Sequence, residues 1–99
     1  MKLYRYVDIV STDTLGNATE QDLADYCKAA YAWLTEHEGP EFSIDVRPPR
    51  RGEAPGLFYE RGGLPFGPAI GSQPEDEYDA RAVELIEKVW QLYCRNELL

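Results

Sequence analysis

Long apolar runs, histidine and cysteine are what this sequence has least of. No run approaches the roughly 18 apolar residues that a membrane-crossing helix needs. Met1-Lys2-Leu3-Tyr4-Arg5-Tyr6 also lacks the apolar core of a secretory leader, so a cytoplasmic setting is expected. One histidine, His37, and two cysteines make a multi-ligand zinc site a poor expectation, and no metal or cofactor is expected. Cys27 and Cys94 are too few for a disulfide-built mini-protein and read as free thiols inside helical patterns. A bridge between packed helices and a reactive thiol are the alternatives. Basic residues are scarce too: 10 Lys and Arg stand against 18 Asp and Glu, for a formal charge of −8. Such a chain is poorly suited to binding DNA, RNA or an anionic membrane directly.

What is present suits one small globular domain over residues 1–99, since 43% of the residues are hydrophobic. Residues 3–10 alternate, with Leu3, Arg5, Val7 and Ile9 on one face and Tyr4, Tyr6, Asp8 and Val10 on the other. A period of two with aromatic and β-branched content predicts a strand, and bulk on both faces suggests a central one. Residues 11–17 break it. Thr19 with Asp22 forms a capping box ahead of a stripe of Leu23, Tyr26, Cys27, Ala30, Trp33 and Leu34, which predicts a helix. Gly39-Pro40 should end that helix, Gly39 through a left-handed cap.

Phe42, Ile44 and Val46 alternate with Ser43, Asp45 and Arg47 to give a second strand, stopped by Pro48-Pro49. A return strand follows over 57–61, so the two should pair as a hairpin. Residues 62–73 hold four Gly and two Pro and read as a loop rather than a fourth strand. Ser72 with Glu75 should cap a long helix running to about Asn96. Its stripe is Tyr78, Ala82, Leu85, Val89, Leu92 and Tyr93, widened by Val83, Ile86 and Trp90. The expected fold is therefore α/β (α+β): a two-layer sandwich of order β-α-β-β-α, three strands with two helices on one face. Trp90 and Val83 are either core or the seam of a homodimer.

The charge is unevenly spread. Residues 8–41 carry eight acids against Lys28, residues 74–99 carry seven against three bases, and residues 42–63 carry four Arg against three acids. On the second helix, Glu77 precedes Arg81 by four and Glu84 precedes Lys88 by four, so those acids have intrahelical partners. On the first helix, Glu36, Glu38 and Glu41 gather at the C-terminal end, where the helix dipole disfavours anions. A local rule broken without visible compensation marks a place to look for function. Solubility alone is the bland explanation.

The sharper expectation is a non-catalytic protein-binding domain: a small acidic inhibitor or adaptor of the phage or mobile-element type. It would mimic nucleic acid and occupy a basic surface of a nucleic-acid-binding protein. Its expected contacts are Asp13, Glu20, Asp22, Asp25, Glu36, Glu38 and Glu41, with Leu64 and Phe66 as an apolar anchor. The apolar loop around Leu64, Phe66 and Ile70 would otherwise fold back as a lid. Arg47, Arg50 and Arg51 either grip an anion or pair with the chain's own acids. Two alternatives stand beside this: a homo-oligomer packed through the long helix, and a small enzyme on the open sheet face using His37 with Glu60 or Tyr59. Catalysis has little support, because Cys27 and His37 lie ten residues apart on one helix, roughly 15 Å along its axis.

Overall fold

The computed structural model describes residues 4–71 and 74–98. The elements are β1 (Tyr4–Ile9), α1 (Glu20–His37), β2 (Phe42–Arg47), β3 (Gly56–Arg61), β4 (Leu64–Phe66) and α2 (Glu77–Cys94). The fold is α+β, with two helices and a four-stranded mixed sheet of order β2-β1-β3-β4. The expected role of Leu3 and the expected cap at Ser72 lie outside the described residues.

Two expectations about the sheet are corrected. β2 and β3 do not form a hairpin: β1 lies between them, parallel to β2 and antiparallel to β3. The helical crossover through α1 lays β2 parallel beside β1. Residues 48–55 then carry the chain across to β1's free edge, about 10 Å away at two strand spacings. A fourth strand also exists where a loop was expected. Gly62 and Gly63 adopt φ of +61° and +81°, and the register pairs Arg61 with Leu64, leaving a two-residue turn between β3 and β4. Left-handed geometry at both turn residues matches the twist of a hairpin, and glycine adopts it without strain. Pro65 is tolerated because β4 is an edge strand.

The capping box at Thr19 forms as expected: Thr19 Oγ1 accepts from the Asp22 N–H and Asp22 accepts from the Thr19 N–H. The C-terminal end of α1 differs. Glu38 is its cap in an extended conformation, and Gly39 is not left-handed, because Pro40 pushes the residue before it toward extended geometry. α2 starts later than expected. Its cap is Asp76, whose carboxylate accepts the Asp79 N–H at 2.8 Å. Of the expected intrahelical pairs, Arg81 instead meets Glu84 at 3.0 Å.

Both helices cover one face of the sheet. Tyr6, Val10, Phe42, Ile44, Val46 and Leu57 pack there against Leu23, Tyr26, Cys27, Ala30 and Leu34 of α1 and Ala82, Leu85 and Val89 of α2. Val7 and Ile9 point to the other face and are also buried, so every residue from Tyr6 to Val10 is inside the protein. The β2 edge is closed by carboxylates: Glu38 Oε2 accepts from the Ile44 N–H and Asp45 Oδ1 from the Val46 N–H. That uses the Glu38 charge that seemed misplaced at the helix end.

The start of α2 is locked to the sheet by Asp79, which is 2% exposed. It accepts the Tyr6 hydroxyl at 2.8 Å and the Tyr59 hydroxyl at 2.7 Å. Burial raises the Tyr6 pKa first and the bond to Asp79 adds to it; at Tyr59 the Asp79 bond is the leading cause of the rise. Asp79→Ala leaves two hydroxyls without their acceptor and should cost about 3 kcal/mol of stability in urea melts. Tyr59→Phe removes one donor only and should cost about 1–2 kcal/mol.

Candidate functional site

At the carboxyl end of β1 the chain turns through residues 11–18 into the N-terminus of α1, and the C-terminal half of α2 passes beside that turn. Ser11 and Thr14 hold the turn, with hydroxyls 3.0 Å apart and the Thr14 N–H donating to Ser11 Oγ at 3.2 Å. Gly16 and Asn17 both adopt positive φ, which lets the chain reverse tightly before Thr19. Two cavities open here and share Thr14 and Trp90 in their walls. The outer one, about 610 Å³, is lined by Asp13, Asp22, Trp90, Tyr93 and Asn96 among others. The inner one, about 290 Å³, is lined by Asp8, Val10, Thr14, Tyr26, Ile86, Glu87 and Trp90. Together they form a groove.

Its chemistry is one-sided. Four carboxylates, those of Asp8, Asp13, Asp22 and Glu87, line the two cavities, with no Lys, Arg or His among the described residues of the lining. Three aromatic rings form the wall. Trp90 stacks on Tyr93 at 5.8 Å, and both meet Tyr26 edge-on, at 6.4 and 5.0 Å respectively. Trp90 keeps 36% of its surface exposed.

Asp8 is the unusual member. It is 8% exposed, and none of the hydrogen bonds among the described residues ends on its carboxylate. No fully enclosed side-chain oxygen or nitrogen lacks a partner, so the Asp8 oxygens keep contact with the inner cavity. Burial pushes its pKa up to about 7. The neighbouring Cys27 thiol is pushed up to about 11, by burial first and then by the Asp8 charge. Both cysteines are free, Cys27 buried and Cys94 exposed, and this environment keeps Cys27 a thiol.

The residues expected to form the contact face do not form one continuous surface. Asp13 and Asp22 line the groove, with Glu20 and Asp25 exposed on the same first turns of α1. Asp22 also serves the capping box, and Asp25 accepts from Gln21 Nε2. Glu36, Glu38 and Glu41 lie at the opposite end of a helix about 27 Å long. There Glu38 closes the β2 edge, and interaction with the Glu41 carboxylate pushes the Tyr78 hydroxyl up to about 12. Glu36 alone of the three stays fully at the surface without such a role. Leu64 and Phe66 are 56% and 52% exposed on β4, at the far edge of the sheet, with the Arg61 guanidinium over the Phe66 ring. Ile70 packs back against the core while Leu64 and Phe66 of the same segment stay exposed.

Other expected features are structural here. Arg47 grips Glu53 through two bonds of 2.7 and 2.8 Å, and Arg50 donates to the Gly63 carbonyl. The Arg47 contact, with the Arg50 backbone N–H, holds the Glu53 pKa down at about 2. His37 stacks on Trp33 at 3.8 Å, with Nδ1 2.7 Å from the Trp33 carbonyl oxygen, while the Tyr59 hydroxyl is taken by Asp79. The described residues contain no group of three or more metal-binding side chains. Sequence reasoning missed Asp8, Glu87 and Asp79. The signal for Asp8 was its place between Tyr6 and Val10 on the apolar face of β1. Comparison with known protein families, with curated proteins and with solved structures finds no match.

Because the folded chain keeps a proton on Asp8 that the unfolded chain releases above about pH 3.8, its cost appears as pH rises through 3.8 and is complete near pH 7. Asp8→Asn should therefore match the parent near pH 4 and exceed it at pH 8 by about 2–4 kcal/mol. Denaturant melts at the two pH values check this; parallel curves would show that Asp8 ionises freely.

Proposed function

We propose that this protein is a non-catalytic binding domain, a small acidic inhibitor or adaptor that occupies a basic surface, most naturally that of a nucleic-acid-binding protein. The observation that carries this reading is the groove beside α1. It combines four carboxylates, an exposed tryptophan rim and a lining with no cation among the described residues. Carboxylates in fixed positions attract Lys and Arg and speed their approach, while aromatic surface supplies the apolar contact that charge alone does not.

On this reading the contact set is smaller than the full list of acids. Asp13, Glu20, Asp22 and Asp25 at the start of α1 form the acidic rim, with Glu36 as an outlying charge. Glu38 and Glu41 have structural partners, and Leu64 and Phe66 would engage a separate part of a large partner. A homodimer through α2 is the second reading, supported by the exposure of Trp90 on that helix. Against it, Val83 packs on the core and the Trp90 ring is already held by Tyr26 and Tyr93.

Tagged protein used as bait in native lysate should retain a nucleic-acid-binding protein at low salt and release it at high salt. Nuclease treatment should not abolish the capture. A variant carrying Asp13→Asn, Glu20→Gln and Asp25→Asn leaves the Asp22 cap intact and should bind that partner about tenfold more weakly. Retention that ignores both salt and these substitutions would sink the reading, and recovery of the bait's own copies alone would favour the dimer.

A further inference from the structure

We infer that the inner cavity takes the ammonium end of an alkylamine, specifically a lysine side chain of the basic partner, with Asp8 as its counter-ion. This rests on the proposed reading of the protein as a binder of basic surfaces and names the group that would anchor there. The cavity holds one carboxylate that is more than nine-tenths buried, lacks a hydrogen-bond partner among the described residues and lines the space. An anion would be repelled. A neutral apolar group would seal an unpaired carboxylate away from water at further cost. A metal ion finds no set of three ligands among the described residues.

An ammonium on a flexible stem fits each wall. Val10, Ile86 and Trp90 offer apolar surface for methylenes, and Trp90 and Tyr26 present rings that attract a cation. Thr14 and Tyr26 line the same cavity of about 290 Å³ as Asp8, and a compact group with three donors suits so small a space better than the broad planar fork of arginine. The titratable groups around Asp8 are Tyr26 and Cys27 on α1, Glu87 on α2 in the same lining, and Asp45 on β2, which acts on Cys27 as Asp8 does. None carries a positive charge. The carboxylates of Asp13 and Asp22 line the neighbouring outer cavity.

The direct test is an NMR titration of the full chain with n-butylammonium chloride at constant ionic strength, beside 1-butanol as the neutral analogue. Saturable shifts should concentrate on Thr14, Tyr26 and the Trp90 indole, and 1-butanol should bind at least tenfold more weakly. Asp8→Asn should lose binding by a similar factor while its remaining spectrum overlays the parent's. With Asp8 titrating near 7, affinity should rise about tenfold between pH 6 and pH 8. This comparison needs no variant and stands if Asp8→Asn fails to fold. Equal binding of 1-butanol, a flat pH profile, or no localised shift would each overturn the inference. Failure of the wider reading looks different: butylammonium binds in the cavity, yet no basic partner is retained by the bait. Conversely, a partner that is lost with the rim variant but binds Asp8→Asn at full strength would keep the reading and remove the lysine anchor.

Discussion

β1 is hydrogen-bonded along both edges and covered on both faces, and the rest of the molecule is arranged around that single strand. Its parallel pairing with β2 fixes where α1 must cross, and its antiparallel pairing with β3 fixes where the hairpin to β4 begins. The same strand sends the Tyr6 hydroxyl to Asp79 and so sets the height of α2 above the sheet. A strand held this tightly gives its side chains little choice. Because the pleat alternates, placing Tyr6 and Val10 in the core obliges Asp8 to point there as well.

Two buried aspartates on the helix side of the sheet have different fates. Asp79 sits three residues after its helix cap, where the dipole favours an anion, and it accepts two tyrosine hydroxyls. It joins three elements and is fully occupied. Among the described residues Asp8 meets no helix end, no cation and no donor, and the space before it stays open. The contrast separates an acid used for architecture from one that the architecture leaves with unused bonding capacity.

The helices, the first three strands and most of the core follow from periodicity and capping, because each of those signals is local. The stripe from Leu23 to Leu34 and the Thr19–Asp22 box needed no tertiary information. Strand partnership is different, since nothing local distinguishes a hairpin of β2 with β3 from insertion of β1 between them. β4 was hidden because Gly62, Gly63 and Pro65 are breakers in most settings; a tight turn and an edge position are the exceptions that accommodate them. The acids at the end of α1 looked unexplained for the same reason. The partners of Glu38 and Glu41 lie on β2 and on α2, six and 37 residues away in sequence. Asp8 and Trp90 are 82 residues apart, so only the folded chain brings them to one cavity.

The two outer strands share one further property. On β2, amide hydrogens at Ile44 and Val46 are already satisfied by carboxylates, and on β4 the central residue, Pro65, has no amide hydrogen to offer. Neither border therefore presents a ready row of donors on which another strand could zip. A sheet closed in this way cannot readily propagate from molecule to molecule. Association by backbone pairing is thereby disfavoured at both borders, which leaves side chains rather than main-chain groups to decide who is admitted.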